Sequence, residues 1–541
     1  MELMLICHSN FNKIMKKIYL TIVILASVFM NACRIDDLDQ DPNRPTQVTP
    51  DLVLNGVCFN INQRPWGTDA RICQYNLCNY NYYGNNEYNW GGASWSFTTL
   101  KNVLKMEEEA KRVGNPEVNP YSALGKFFRA YLYYQMTMTT GDVPLSEALN
   151  TSNFKPKYDT QKDVFIQILN WLEQANADMA SLISTGNSSF SGDIYYGNNL
   201  GAWQKLNNTF TLRVLMALSS KEGDADLKIK DKFKAIIADP AKYPVFSSNA
   251  DNFQFVYNST LNKYPVSPDN YGFDALRYNM SSTNLSILTA LKDPRVFVIA
   301  EPAGSKLKAG SGYTDFSSYV GANANQDLAD MSTKMQVVNG GNFLNGEYSL
   351  YNRYRWYRTF TAEPCIQVGY SEMCFNIAEA AHRGWISEMA ATWYEKGIKA
   401  SFQFYGVVNG ANSIYSFKNG GSPTNTGDYI MNTYNFDENA YLNQSTVKYA
   451  GANTDGLKQI ISQKYLSFFQ NSGLEGYFNN RRTGFPTFSS NGPGTGNSGL
   501  IPKRYQYPSS EITNNQASWA EAVGRQFGGK DDINADMWIL K

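Results

Sequence analysis

The sequence predicts a mainly α-helical protein in which one large domain follows a short membrane-targeting segment. Apolar residues recur at three- and four-residue steps in several segments, and stretches rich in Gly, Asn and Ser separate those segments. No long charge run or Pro-rich linker divides the chain. Of the 541 residues, 43% are hydrophobic and 18% are charged. This balance provides enough apolar mass for a large core.

The helical pattern is clearest in residues 163–184, where Ile168, Leu172 and Met179 belong to one apolar face. A second amphipathic segment covers residues 203–220. Helices are also predicted for residues 123–137, 365–382, 389–404 and 457–470. Paired helices with short connections suggest helical hairpins, although no repeat of about 34 residues matches the tetratricopeptide consensus.

The start of the chain has the pattern of a lipoprotein signal. Lys16 and Lys17 precede an apolar run over residues 18–30, and Cys33 directly follows Ala32. The run is shorter than the ~20 residues that cross a bilayer, which favours a cleaved signal peptide. We expect residues 1–14 to be an upstream mis-start, 15–32 the signal peptide, 33–50 a tether lipidated at Cys33, and 51–541 a single domain.

Composition excludes some classes of function. Lys plus Arg and Asp plus Glu number 48 each, so the chain has no basic field for nucleic acid. The two histidines are His8, which precedes the signal, and His382. A zinc site with several His ligands is therefore excluded, whereas a Ser/His/Asp triad around His382 remains open. We predict no enzyme activity and no cofactor, and the sequence leaves calcium binding undecided.

Beyond Cys7 and Cys33 the sequence contains five cysteines, an odd set that cannot pair completely. A chain of this size does not need a disulfide framework, so we interpret them as core thiols. One pair is close enough in sequence to bond or to bind a metal, but no second cluster at zinc-finger spacing accompanies it. The five are Cys58, Cys73, Cys78, Cys365 and Cys374, and the close pair is Cys73 and Cys78.

Aromatic residues are concentrated in residues 65–97, interleaved with asparagines. Sugar rings present C–H faces to aromatic side chains and hydroxyls to amides, so this mixture suits a carbohydrate. About half of these aromatics are expected to pack inward. The predicted exposed, ligand-binding residues are Trp66, Tyr83, Tyr88, Trp90 and Trp95.

A second candidate rim interleaves aromatic and basic residues. It contains Tyr348, Tyr351, Tyr354 and Trp356 together with Arg353, Arg355 and Arg358. Such interleaving is typical of single-stranded nucleic-acid platforms. The neutral net charge and the export signal argue against that interpretation, because nucleic-acid binding relies on excess positive charge.

Motifs in a fixed order resemble the SusD/RagB family of nutrient-binding lipoproteins. Asp41-Pro42-Asn43-Arg44-Pro45 stands near the predicted anchor. The later motifs, spread over nearly the whole mature chain, are ALGKFFRAYLYYQMTMTTGDVPLSEAL, YDTQKDVFIQIL, DIYYGNNLGAWQKLNNTFTLRVLMALS, Asp293-Pro294-Arg295, Ala378-Glu379-Ala380 with Arg383-Gly384, QKYLSFFQNSGLEGYFNNRRTGFP and IPKRYQYPSSEITNN.

The resemblance implies a scaffold of tetratricopeptide-like helix pairs with loops forming the ligand face, and the family tends to place ligand-contacting aromatics early. It implies a glycan ligand, an outer-membrane lipid anchor, and a SusC-like TonB-dependent transporter as partner. The acidic cluster Asp36, Asp37 and Asp39 resembles an export signal to the exterior face. Uptake of peptides or another nutrient, and a role as a surface adhesin, remain open as alternatives.

Charged and turn residues within these motifs have structural interpretations. Arginines in these motifs could donate to a ligand, but an Arg beside apolar helices more often pairs with a carboxylate or a helix end, which we predict for Arg129, Arg213, Arg295, Arg481, Arg482 and Arg504. Glu379 and Arg383 are four residues apart and are predicted to bridge. Gly141, Gly384 and Gly484 suit helix C-termini. Residues 107–109, three consecutive glutamates, are predicted to form a solvated helix face.

Overall fold

The computed structural model describes residues 15–21, 47–335, 345–418 and 427–541. The chain divides into a first unit, Met1–Thr49, and a second unit, Pro50–Lys541. In the first unit, residues 15–21 are helical. Cys33 and the acidic cluster after it lie outside the described residues, and so does most of the predicted tether.

Helices dominate the second unit. The first seven are α1 (Pro50–Asn60), α2 (Thr68–Ile72), α3 (Phe97–Arg112), α4 (Pro120–Thr140), α5 (Gln161–Ser184), α6 (Leu200–Ala217) and α7 (Ile229–Ala238). Shorter helices follow: α8 (Tyr271–Asp274), α9 (Ser282–Ala290), α10 (Arg295–Ile299), α11 (Gly304–Lys308), α12 (Leu328–Lys334) and α13 (Arg353–Trp356). The last group comprises α14 (Tyr370–His382), α15 (Ala390–Tyr405), α16 (Glu438–Asn443), α17 (Thr454–Ser467), α18 (Glu475–Thr483), α19 (Ser509–Asn514) and α20 (Gln516–Phe527).

Long helices that follow one another in sequence also pack side by side. Contacts join α1 to α3, α3 to α4, α4 to α5, α5 to α6 and α6 to α7. Helix α6 also packs against α14, which in turn packs against α15 and α17. A continuous apolar core runs through these layers. The prediction of a mainly α scaffold built from helix pairs is confirmed.

Helix α4 shows why the long helices begin and end where they do. The Asn119 side chain accepts a hydrogen bond from the backbone N–H of Ser122, and the Ser122 side chain bonds back to Asn119, a reciprocal cap. Pro120 occupies the first turn, where its missing N–H costs nothing. Gly141 follows the helix with φ of 97°, a conformation that favours glycine. Gly384 and Gly484, with φ of 72° and 78°, follow α14 and α18 as predicted.

Predicted helical segments agree with α4, α5, α6, α15 and α17, with ends shifted by a few residues. The predicted helix over residues 365–382 is wrong at its start. Cys365–Val368 form a strand, Gly369 follows in an extended conformation, and the helix begins at Tyr370. Four apolar and amide residues fit either structure, and pairing with a distant strand makes them extended.

Within the described residues, the strands form three two-stranded antiparallel sheets. Strand β1 (Asn76–Cys78) pairs with β3 (Tyr278–Met280), with Cys78 opposite Tyr278. Strand β2 (Phe253–Phe255) pairs with β4 (Cys365–Val368), and β5 (Gly410–Phe417) with β6 (Tyr429–Phe436). The β1–β3 pair joins the aromatic-rich loop to a segment 200 residues away.

The core contains the predicted thiols and ion pairs. Cys58, Cys73, Cys78, Cys365 and Cys374 are buried and free, so the interpretation as core thiols is confirmed. The six arginines have structural partners, as predicted. Arg129 pairs with Glu107, Arg213 with Glu372, Arg295 with Asp293, Arg482 with Glu379 and Arg504 with Asp531, while Arg481 donates to the carbonyls of Met138 and Lys503.

Candidate ligand-binding face

An exposed turn rich in tyrosine forms the candidate ligand face. Residues Asn81–Tyr83 make one turn of 3-10 helix, and Gly84 ends it with φ of 127°. Tyr82 is 83% exposed, whereas Tyr80 and Tyr83 are half-buried. The ring centroids of Tyr82 and Tyr83 lie 5.4 Å apart at an interplanar angle of 73°. We call residues 80–84 the tyrosine turn.

The β1–β3 pair holds the tyrosine turn in place. The Asn86 side chain accepts a hydrogen bond from the backbone N–H of Cys78 at 2.8 Å and donates to the carbonyl of Cys78 at 2.9 Å. These two hydrogen bonds connect the loop back to β1. Asn79 donates from its backbone to the carbonyl of Arg277 at 3.0 Å and from its side chain to Leu276 at 2.9 Å. The rings therefore project from a fixed base.

Charged and aromatic groups from other segments surround the turn. The Arg277 guanidinium carbon lies 4.7 Å from the centroid of the Tyr80 ring, a cation–π contact. The rings of Tyr83 and Tyr278 lie 6.0 Å apart, edge to face. A Cβ atom at Gly84 would lie 3.4 Å from Nη2 of Arg71, so this glycine lets the guanidinium approach the turn. Guanidinium donors thus stand beside the rings.

The Asp274 carboxylate lies beside the Tyr83 hydroxyl. Burial, reinforced by this carboxylate, raises the pKa of Tyr83, and burial raises the pKa of Asp274. Tyr83 therefore remains a neutral hydroxyl that can donate at physiological pH. Rings, guanidinium donors and a carboxylate acceptor together can stack on a ligand and bind its hydroxyls.

Two of the five residues predicted as exposed are buried. Trp66 is 9% exposed; its Nε1 donates to the Tyr264 hydroxyl at 2.9 Å, and its ring contacts Tyr351 at 4.1 Å. Tyr88 is 2% exposed; its hydroxyl donates to the carbonyl of Ile72. Nearby Gly and Asn residues indicated a loop but did not indicate which way each ring points. These two surface predictions are wrong.

The other three predicted residues are half-buried. Trp90 stacks on Tyr505 at 4.4 Å, and Trp95 donates from its Nε1 to the Thr140 hydroxyl at 3.3 Å. Both rings pack against the core, and their ring contacts are with residues outside the tyrosine turn. Tyr83 alone among the five belongs to the turn. Tyr82, the most exposed ring of the turn, was in the predicted loop but not among the five.

The second predicted rim also divides between core and surface. Tyr351 and Trp356 are fully buried, and so is Arg353, which pairs with Glu301, so these members do not form a rim. Tyr354 is half-buried and stacks on Tyr415 of β5 at 4.0 Å and 8°.

The other face of Tyr354 carries a cation. The guanidinium carbon of Arg358, an exposed residue, lies 4.3 Å from the Tyr354 ring centroid. Because Tyr415 covers one face of this ring, Arg358 covers the opposite one. Arg355 pairs with Glu363, and Tyr348 donates to Gln326. The rim therefore reduces to a stack of Tyr415, Tyr354 and Arg358.

Other predicted features have clear structural partners. The Glu107 carboxylate pairs with Arg129, and the Glu109 carboxylate pairs with Lys105 and Arg112. Glu108 is exposed. The prediction that residues 107–109 form a uniformly solvated face is therefore wrong for Glu107 and Glu109. Nδ1 of His382 lies 3.0 Å from the hydroxyl of Tyr449.

The described part of the chain lacks both a metal-binding cluster and a membrane-spanning helix. Among the described residues, no group of three His, Cys, Asp or Glu side chains could hold a metal ion. None of the described helices has both the length and the hydropathy needed to span a membrane.

Comparison with known proteins decides the family. A family model described as starch-binding and associating with the outer membrane matches residues 42–508. The chain belongs to the SusD-like family. The resemblance inferred from ordered motifs is therefore confirmed, and this SusD-like chain belongs to an outer-membrane-associated family of nutrient-binding proteins. None of the curated proteins compared with the chain matches it.

Solved structures of SusD homologues have the same fold. One from Bacteroides fragilis is 30% identical with a TM-score of 0.77 and covers 91% of this chain and 100% of its own. Another from the same species is 32% identical, TM-score 0.73, covering 92% and 100%. A chitin-binding SusD homologue from Flavobacterium johnsoniae is 20% identical, TM-score 0.65, covering 90% and 97%, a likeness of fold.

Proposed function

We propose that this protein is a surface lipoprotein that binds an oligo- or polysaccharide on the tyrosine turn and delivers it to a SusC-like TonB-dependent transporter. The observation that carries the proposal is the ring of Tyr82, 83% exposed, beside Tyr83, Arg277 and Asp274. An aromatic ring exposed to this extent contributes little to folding stability, whereas it offers a flat face to a ligand.

The neighbouring groups favour a sugar over a wholly apolar ligand. Aromatic rings stack on the C–H faces of pyranose rings, and the surrounding donors and acceptors match hydroxyls. Arg277 and Arg71 donate, while the Asp274 carboxylate accepts. Binding without chemical conversion is proposed, since this set serves recognition and a glycosidase requires two convergent carboxylates about 5–10 Å apart.

Anchoring and delivery rest on the family and on the start of the sequence. A family associated with the outer membrane, together with the signal pattern that ends at Cys33, supports a lipid-anchored protein facing the exterior. The transporter partner is proposed from the same family relationship.

Calorimetric titration against a panel of soluble polysaccharides, including starch and chitin oligosaccharides, tests the ligand. We expect at least one glycan to bind, and Tyr82→Ala to weaken that binding about two- to twelvefold, because an aromatic contact contributes about 0.5–1.5 kcal/mol. Tyr83→Ala should weaken glycan binding more than Tyr82→Ala does, since the Tyr83 ring packs against the Tyr82 ring.

Two control variants separate binding from general surface or fold effects. Phe154→Ala removes an aromatic ring that is equally exposed, at 83%, from the loop between α4 and α5, and should leave affinity unchanged. Tyr88→Phe removes a buried hydroxyl that donates to the carbonyl of Ile72, and it should lower stability but not affinity. Equal losses in Tyr82→Ala and Phe154→Ala would contradict the assignment of the turn.

The alternatives predict different results. A peptide-uptake protein on the same scaffold would bind peptides and would bind none of the glycans in the panel. An adhesin would bind without a transporter, so purification of the tagged protein from outer membranes should recover no β-barrel receptor. Recovery of a TonB-dependent receptor together with glycan binding supports the proposal.

A further inference from the structure

A cleft between α5, α6 and α7 is separate from the tyrosine turn. Its volume is about 280 Å³, near the lower end of the range of about 300–1,000 Å³ typical of small-molecule sites. Leu169, Leu172 and Ile236 form an apolar floor, while Glu173, Lys232 and Tyr243 are its charged and hydroxyl-bearing lining. None of these residues belongs to the face described above.

Lys232 contributes the positive charge of the cleft. Its side chain is half-buried, and burial lowers the pKa of its ammonium group. Among the described residues, no ion pair or hydrogen bond holds this ammonium, although Glu173 is close enough to act on it electrostatically. A partly desolvated cation without a hydrogen-bonded partner favours binding of an anion, because the anion replaces the interactions lost to burial.

Glu173, whose side chain is 57% exposed, contacts two other groups. The Tyr243 hydroxyl donates to its carboxylate at 2.9 Å, and Nζ of Lys242 lies 3.7 Å from the same oxygen. Both contacts are to one carboxylate oxygen, so acceptor capacity remains on Glu173. A bound group with a second negative charge would be repelled by Glu173, whereas a hydroxyl could donate to it.

These features together define the chemistry of an occupant. We propose that this cleft binds a small hydroxylated monocarboxylate of the uronic-acid type, with its carboxylate on Lys232, a hydroxyl on Glu173 and its C–H face on the apolar floor. The volume suits a single sugar ring. This site is additional to the proposed glycan face and does not depend on that face being a glycan site.

Titration with glucuronate and with glucose provides a direct comparison, because the two differ at the carboxylate that Lys232 would bind. We expect glucuronate to bind at least tenfold more tightly than glucose. Calorimetry on the full folded domain, with ligand-observed NMR for weak binding, gives the affinities. Equal affinities for the two sugars, or no glucuronate binding at millimolar concentration, would overturn the proposal.

Variants of α7 assign the binding to this cleft. Lys232→Gln should weaken glucuronate binding at least tenfold, and Lys232→Arg should retain most of it. Lys234→Gln, an exposed residue on the same helix, is the matched control and should have no effect. Thermal unfolding by circular dichroism verifies that each variant is folded. Unchanged binding in folded Lys232→Gln would refute the assignment.

Two further measurements test the ligand class and the independence of the site. Sulfate, as an inorganic dianion without hydroxyl groups that pair with Glu173, should bind more weakly than glucuronate; tighter binding of sulfate would refute the assigned ligand class. Tyr82→Ala should bind glucuronate as the unmodified protein does. Loss of glucuronate binding in Tyr82→Ala would instead place that sugar on the tyrosine turn.

Discussion

Glu379 in α14 illustrates how single buried residues stabilise the scaffold. Its side chain is fully buried, and Arg482 of α18 donates to both carboxylate oxygens, at 2.5 and 2.7 Å. Arg383, which directly follows α14, donates to the same carboxylate at 2.8 Å. The sequence predicted the pairing of Glu379 with Arg383, because their spacing places them on one helix face. Arg482 lies 103 residues away, and no local pattern indicates it.

Removing the inter-helix partner should be more harmful than removing the local one. Arg482→Met leaves a buried carboxylate with one cation, and we expect a loss of about 3–5 kcal/mol in the free energy of unfolding. Arg383→Met should cost less, because Arg383 is more exposed and Arg482 remains. Urea unfolding of both variants provides the comparison. Equal losses would show that the two arginines act equivalently.

The same carboxylate gives stability a defined pH dependence. Burial alone would raise the pKa of Glu379, but Arg482 and Arg383 overcome it and lower the pKa from 4.5 to about 2. A lowered folded-state pKa contributes stability that is complete above pH 4.5 and is lost as the pH falls toward 2. The contribution is about 3 kcal/mol at neutral pH.

We therefore expect stability to fall between pH 5 and pH 2, and to fall less steeply in Glu379→Gln. Glu108→Gln, which changes an exposed glutamate, should retain the slope of the unmodified protein. Denaturant unfolding at several pH values measures these slopes. An unchanged slope in Glu379→Gln would assign the acid sensitivity to other carboxylates.

At the residue scale, the sequence predicts which loop contains the aromatic residues better than it predicts which way each ring points. The aromatic-rich loop does contain the exposed Tyr82, yet Trp66 and Tyr88 from the same loop are buried. Trp66 points inward because Tyr264 and Tyr351, roughly 200 to 300 residues later, offer it a hydrogen bond and a ring contact. These partners come from tertiary packing, which local spacing does not encode.

At the scale of elements, helix periodicity was reliable where a segment buries one face along its length. Helix α5 agrees with its predicted extent within two residues, because its apolar stripe is continuous. The segment around Cys365 was assigned to a helix, since its four residues have no distinguishing period. Val368 pairs with Phe253 of β2, a contact between segments that sequence alone does not connect.

Close packing of α14 and α15 depends on a glycine. A Cβ atom at Gly397 would lie 2.7 Å from ring carbons of Phe375, which is fully buried. Overpacking typically costs about 1–3 kcal/mol, while Ala gains about 1 kcal/mol in helix propensity. We expect Gly397→Ala to lower the free energy of unfolding by up to about 2 kcal/mol.

Helix α20 offers the matched control. A Cβ atom at Gly524 would meet no atom within 4 Å, so Gly524→Ala should stabilise the protein by up to about 1 kcal/mol through helix propensity. Chemical unfolding curves of the two variants should therefore shift in opposite directions. A shift in the same direction would show that packing at Gly397 is not limiting.

At the scale of the whole molecule, the order of the motifs predicted the family, whereas the candidate site was recognised only from the geometry of the folded chain. Motifs spread over most of the chain predicted the SusD-like scaffold, which the family match over residues 42–508 confirms. The tyrosine turn could not be predicted as a unit, because Arg277 and Asp274 join it only after β1 pairs with β3.

The proposed anchor makes a prediction for the entire protein. The unmodified chain, expressed in a Gram-negative host that processes lipoproteins, should incorporate labelled palmitate and sediment with membranes. Cys33→Ser should do neither, because its hydroxyl cannot form the thioether to diacylglycerol. Cys58→Ala, which removes a buried thiol of α1, should remain lipidated. Labelling of Cys33→Ser would place the lipid elsewhere.

The burial of all five described thiols has a practical consequence. Burial raises the pKa of each of them, so they are poorly ionised and shielded from maleimides. A cysteine introduced at Asn81, an exposed residue of the tyrosine turn whose replacement leaves the Tyr82 ring in place, would therefore react selectively in the folded domain. A fluorophore attached there could report cargo capture in real time without first removing the native sulfhydryls.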